Sequence, residues 1–192
     1  MNSSIPNIRP MILASMLAAL TAIGAFITIP LPFSPIPITL QVLFVLLAGL
    51  LLGSRWAATS MGVYVLLGII GLPVFSGGTA GIGVLLGPTG GYLVGFVVGA
   101  YVIGIIAEQG KDYSDQNNAS CCNHINTIRP IVASLSGLAV IFLFGTIWLA
   151  IAADLSISQA VAVGLLPFIP GGIIKVVAAV VIAKKLKPLI NK

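Results

Sequence analysis

Apolar stretches alternate along the chain with short connections that are either polar or rich in proline and glycine. Six such stretches stand out: Met11 to Ile29, Ile38 to Gly53, Trp56 to Leu72, Tyr92 to Ala107, Pro130 to Ala153 and roughly Gly171 to Ala183. Several are shorter than the roughly 20 residues that cross a bilayer as a helix, so their ends are expected to reach into uncharged flanks. The first is too long for the apolar core of a signal peptide and runs into Ile29-Pro-Leu-Pro-Phe33 rather than a small-residue cleavage site, so it is expected to remain as a helix. The pattern predicts an all-α integral membrane protein, a single domain of six transmembrane helices over residues 1–192.

Composition agrees, with 58% hydrophobic and only 7% charged residues against about 25% charged in soluble domains. The net charge of +5 would suit nucleic acid or acidic lipid, but the positions of the charges speak for topology instead. Arg9, Arg55, Lys111, Arg129, Lys184, Lys185, Lys187 and Lys192 all fall at one set of helix ends, which the positive-inside rule places in the cytoplasm together with both termini. The opposite connections, Pro30 to Pro37, Pro73 to Gly91 and Asp154 to Gly171, contain no Lys or Arg.

Those outer connections are apolar yet irregular. The first is rich in proline, at positions 30, 32, 35 and 37, and favours an extended segment. The second mixes glycine with apolar residues, a composition that survives at membrane depth only where it is buried or lines a cavity. The third contains Ser156-Ile-Ser-Gln159, a capping-box pattern that predicts a short interfacial helix. Together they suggest a pocket lidded from outside. The inner connection, about 108–128, reads as a polar linker. Its Cys121, Cys122 and His124 lack the second cluster that a metal site needs, and the Asn118-Ala-Ser120 sequon faces the wrong compartment, so no metal is expected.

Lys175 is the exceptional residue, a cation inside an apolar helix following Pro170-Gly171-Gly172. An ammonium at membrane depth is read by default as functional, and the preceding break would leave unpaired helix N–H groups beside it, a setting for a carboxylate or phosphate. The alternative is a lysine snorkelling to the interface, but this face of the chain has no similar neighbours. The other candidate lining is neutral: Gln41, Thr79, Thr89 and Tyr92, with Phe33, Phe75 and Phe168 near. Such walls suit a small, largely apolar ligand with one acid group. Tyr64, Tyr101 and Trp148 read as packing or anchoring residues.

Small residues recur at four-residue spacing in Ala14, Ala18 and Ala22 and in Gly91, Gly95 and Gly99, which lets helices approach closely in lipid. The glycine stripe reads as internal packing; the alanine stripe fits an internal or an external partner equally. There is no phosphate-binding Gly-x-x-x-x-Gly-Lys-Ser/Thr loop, so nucleotide hydrolysis is not encoded. The acidic residues are Glu108, Asp112, Asp115 and Asp154, and no carboxylate pair or nucleophile-base set falls within the apolar stretches. An enzyme is therefore not expected, and no cofactor is implied.

Three segments carry a family resemblance: Pro35-Ile-Pro-Ile-Thr-Leu-Gln41, Leu72-Pro-Val-Phe-Ser-Gly-Gly-Thr-Ala-Gly-Ile-Gly-Val-Leu-Leu-Gly-Pro-Thr-Gly-Gly-Tyr-Leu-Val-Gly-Phe96, and Leu166-Pro-Phe-Ile-Pro-Gly-Gly-Ile-Ile-Lys175. In this order they resemble the motifs of the BioY family, the biotin-specific S components of ECF-type vitamin transporters. The resemblance implies a six-helix protein of the cytoplasmic membrane that captures biotin near the outer face. It also implies coupling to a transmembrane T subunit and two ATPases through small residues of the first helix, which Ala14 and Ala18 match. Lys175 matches a ligand-contacting lysine, and Thr79 and Tyr92 occupy positions that reach the ligand. The family's Pro-Gly-Asp-x-x-Lys is here Pro170-Gly171-Gly172-Ile-Ile-Lys175. Without that aspartate the site keeps its cation and loses an acceptor, which implies biotin binding with altered affinity or selectivity. The competing readings are the same architecture for another small carboxylate vitamin and a stand-alone facilitator.

Overall fold

A computed structural model of the chain describes residues 8–32, 34–109 and 122–190, with side chains of 128–187 in the last stretch. Phe33, Lys111, Cys121, the Asn118 sequon, Lys192 and the side chains of Cys122 and His124 lie outside the described residues.

The order of elements is α1 (Ile8–Phe26), β1 (Thr28–Ile29), β2 (Ile38–Thr39), α2 (Gln41–Leu52), α3 (Ser54–Ile70), a 3-10 turn (Ser76–Gly78), α4 (Ile82–Leu86), α5 (Gly90–Glu108), α6 (Cys122–Ala152), α7 (Ile157–Gly164) and α8 (Phe168–Ile190). Among the described residues three helices are long and apolar enough to cross a membrane, over Ile8–Phe26, Gly90–Glu108 and Ile128–Ala152. A fourth crossing forms if α7 and α8, bent by 48° at their junction, act as one span. With 12 and 17 residues, α2 and α3 are shorter, about 18 and 26 Å at the helical rise.

The short α2 lies at the centre, touching α1, α3, α5, α6 and α8. Its residues Val45 to Leu50 are all buried, as a helix apolar on every side requires. Outward-facing side chains such as Ile12, Leu66, Leu143 and Ile174 are exposed, the lipid-facing surface expected of a membrane protein. The glycine stripe of α5 is used inside the chain. A Cβ on Gly95 would sit 3.0 Å from Ile141 Cα, and one on Gly99 would sit 2.8 Å from Ile141 Cγ1, so α5 and α6 meet backbone to backbone.

The alanine stripe of α1 is also used internally. Ala14 and Ala18 are 6% and 4% exposed, and the Ser60 hydroxyl of α3 donates to the Ala14 carbonyl at 2.6 Å. Both side chains are thus covered within the chain itself, the internal one of the two uses that the stripe allows.

The irregular loops are more ordered than proline and glycine content suggested. The first forms a two-stranded antiparallel ribbon, Thr28 opposite Thr39 and Ile29 opposite Ile38. In the second, Gly71 ends α3 at φ 113, with its N–H returned to the Gly68 carbonyl at 3.3 Å, the left-handed cap that glycine favours. The third has the expected capping box, Ser156 with Gln159, at the start of the eight-residue α7.

Two helix starts differ from expectation. The polar connection ends earlier than residue 128, because α6 begins at Cys122 and carries Pro130 within it. The sequence Pro170-Gly171-Gly172 does not break α8, which begins at Phe168. Proline is tolerated in the first helical turn, where its missing N–H has no intrahelical partner anyway.

Candidate functional site

At the loop-rich end, α2, α5, α6 and α8 surround a cavity of about 60 Å³, roofed by Ile36, Pro37 and Thr39 of the first loop and by Phe75 and Ser76 of the second. Its walls are mainly apolar, with Leu93, Phe96, Ile141, Phe142 and Phe168 among them. A space of this size holds a few waters, so a bicyclic ligand requires side chains or roof segments to yield.

Lys175 is the only charged residue among the described residues that line the cavity. Its ammonium donates to the Thr39 carbonyl at 2.6 Å, joining α8 to the ribbon that roofs the site. The lysine lies seven residues after Phe168, beyond the first turn in which free N–H groups and the helix dipole act strongly. The expected partnership between the ammonium and helix N–H groups is thereby corrected. The side chain itself supplies the positive charge, and an ammonium with three donors retains capacity for an anion after the bond to Thr39.

The structure gathers Gln41, Tyr92, Gly172 and Lys175 around this cavity. Gln41, 3% exposed, donates from its side-chain amide to the Tyr64 hydroxyl, which donates in turn to the Val74 carbonyl at 3.0 Å. Tyr64 is thus a support behind the site, linking α2 and α3 to the second loop. The Tyr92 hydroxyl donates to the Gly164 carbonyl at 2.7 Å, fixing α7 to α5 while the side chain lines the cavity.

Thr79 is not brought to the cavity. It is exposed, its hydroxyl donates to the Ser76 carbonyl at 3.0 Å, and its own carbonyl accepts from Phe75 N–H at 3.0 Å. The turn that it closes instead presents Phe75 and Ser76 to the cavity. Among the described residues the Ser76 hydroxyl has no hydrogen-bond partner, which makes it a donor or acceptor in a mainly apolar wall.

Sequence reasoning missed Thr39, Ser76 and the contribution of α6, notably Leu138, Ile141 and Phe142. Thr39 acts through its carbonyl, which its side-chain identity does not reveal. Ser76 stands three residues from the Thr79 that was singled out. The α6 residues carry no signal, because in a membrane helix an apolar side chain facing a cavity looks the same as one facing lipid.

A helical membrane domain that holds a small, mostly apolar cavity with one inward lysine beneath ordered loops is a substrate-binding subunit in architecture. Comparison with known proteins identifies which. The chain belongs to the BioY family, whose pattern matches residues 1–192. It is 39% identical over 181 residues to the "Biotin transporter BioY" of Thermotoga maritima, covering 94% of this chain and 97% of the relative. It is 36% identical over 177 residues to the protein of the same name from Rhizobium etli, covering 92% and 91%. Its fold matches the crystal structure of the S-component for biotin from an ECF-type ABC transporter with a TM-score of 0.83, at 29% identity over 98% of this chain and 95% of that one.

Proposed function

We propose that this protein is the biotin-binding membrane subunit of an ECF-type transporter, and that the cavity beneath the ribbon and the second loop is its biotin site. The observation that carries the reading is the Lys175 ammonium, the single charge in an apolar cavity, in a chain whose relatives are named biotin transporters over nearly their full lengths. The ammonium receives the ligand carboxylate; the apolar walls enclose the ring system and tail. Ser76, Gln41 and Thr89 supply polar atoms for the ureido group.

The asymmetry of basic residues supports a reading with the loop-rich end outside and both termini in the cytoplasm. The six apolar stretches then cross in turn as α1, α2, α3, α5, α6 and α8, with the short α2 extended by the ribbon that precedes it. The bond between Lys175 and Thr39 gives a route by which ligand and roof are coupled. A carboxylate that draws the ammonium toward itself changes what holds the first loop in place.

With no nucleotide-binding loop in the chain, uptake against a gradient draws its energy from elsewhere, in this reading from a transmembrane T subunit with two ATPases. Uptake of labelled biotin into liposomes tests this, with and without the module and ATP, and with lipoate and thiamine as competitors. ATP-dependent uptake that only biotin competes supports the proposal. Uptake without any ATPase supports a facilitator, and competition by another vitamin points to a different ligand.

A further inference from the structure

Beside the cavity, across Leu138 and Phe142 of α6, runs a second, larger space. It is a groove of about 760 Å³ between α6, α7 and α8, lined almost wholly by apolar side chains. Leu143, Ile147 and Ile151 on its lining are 58%, 56% and 71% exposed, so it opens toward the lipid-facing surface. Two residues line both spaces, Leu138 and Phe142. Each is nearly buried, at 6% and 8% exposure. The wall between cavity and groove is therefore one side chain thick.

The two wall residues are held differently. The Phe142 ring lies against Phe168, with centroids 6.3 Å apart, and is fixed by an aromatic neighbour. Leu138 faces Gly172 of α8. A Cβ built on Gly172 would lie 2.9 Å from Leu138 Cδ2 and 3.7 Å from Phe142 Cε2. Leu138 thus occupies space that any larger residue at 172 would contest. Gly172 precedes Lys175 by three residues, so the two share a helix face about 4.5 Å apart along the axis. The contested space adjoins the part of the cavity served by the ammonium.

We propose that Leu138 is a specificity-determining partition. Through its contact with Gly172 it closes the ligand cavity against the membrane groove, and it limits what can stand beside the ligand's carboxylate. Gly172 is its counterpart, since the missing side chain is what lets Leu138 reach the wall. The proposal rests on the biotin reading for its ligand, but its geometry does not.

The test has two arms. In the first, binding of biotin is compared with that of biotin bearing a methyl branch on the carbon beside the carboxylate. Wild type should reject the branched acid. Leu138→Ala should reduce that discrimination about 10-fold or more, the scale on which one methyl is read by an apolar pocket. Gly172→Ala should weaken biotin binding several-fold, and Gly172→Ala with Leu138→Ala should recover it. Unchanged discrimination in Leu138→Ala, or strictly additive losses in the pair, would overturn the proposal. In the second arm, Leu138→Cys is made in a chain whose two native cysteines, Cys121 and Cys122, are replaced by serine. It is treated in bilayers with a lipid-soluble thiol reagent. Labelling that biotin suppresses is expected, with Ala133→Cys, fully buried on the same helix, remaining unlabelled. If Leu138→Cys is as inert as that control, the partition is refuted whatever the ligand. If the wild type binds no biotin, the biotin reading falls, while the partition still stands or falls on the labelling.

Discussion

Gly68 lies outside the cavity lining, yet replacing it with alanine should damage ligand binding. A Cβ at this position would overlap the ring of Phe75, with Cζ, Cε1 and Cε2 its nearest neighbours. Phe75 is 1% exposed, meets Tyr64 edge to face at 5.8 Å between centroids, and lines the cavity on its other side. A ring pushed from the Gly68 side and flanked by Tyr64 borders the ligand space, so its displacement is expected to be felt there. Overpacking of a tight core costs about 1–3 kcal/mol. If that strain is relieved in the free protein by moving the ring inward, the ligand must reverse the move to bind. Biotin affinity should then fall about 5- to 150-fold, since each 1.4 kcal/mol is about tenfold. Calorimetric titration of biotin into the detergent-solubilised variant measures this directly. Thermal unfolding should show a smaller loss than binding does. Gly68→Ala combined with Phe75→Leu, which makes room for the added methyl, should recover most of the affinity. Wild-type affinity in Gly68→Ala, or no recovery in the pair, would refute the idea that Phe75 transmits the change.

Other substitutions separate the roles assigned above. Gly95→Leu should lower the thermal midpoint strongly by forcing α5 from α6, since the added Cβ alone meets Ile141 Cα at 3.0 Å. Tyr92→Phe should cost about 1–3 kcal/mol of stability by leaving the Gly164 carbonyl without its donor, while biotin affinity stays within about threefold, reading out a structural hydroxyl and a lining ring. Ser76→Ala should leave thermal stability unchanged and weaken biotin about 2- to 10-fold, because its hydroxyl bonds nothing among the described residues. Thr79→Val should alter biotin affinity less than about twofold, as expected for an exposed residue outside the cavity.

The apolar stretches located the helices because lipid demands long uncharged segments, and the lone lysine among them marked a residue that lines the cavity. The α7 cap was legible from Ser156 and Gln159 because a capping box is a local device. What failed was non-local or carried by backbone. Pro170-Gly171-Gly172 reads locally as a break, yet proline fits the first turn of a helix that begins at Phe168. The four-residue spacing of Ala14 and Ala18 shows that a helix can approach closely but not which one, and Ser60 of α3 turned out to face it. Thr79 drew notice by its polar side chain, whereas the turn that it closes delivers Phe75 and Ser76. Gly172 is legible as a departure from a motif, but its meaning depends on Leu138, 34 positions earlier in the chain, and no local pattern links them.

The Lys175 ammonium is proposed to receive the carboxylate of biotin in this cavity. Equilibrium binding of biotin to the purified protein, with Lys175→Ala beside it and both shown to be folded by thermal unfolding, tests this most directly. A charge-assisted hydrogen bond contributes about 1.5–3 kcal/mol, so wild-type binding should be saturable and weakened roughly 10- to 150-fold in the variant. The loss should be much smaller for a biotin amide, which lacks the charge. Equal affinity for biotin in the two proteins, or no binding by a folded wild type, would contradict it.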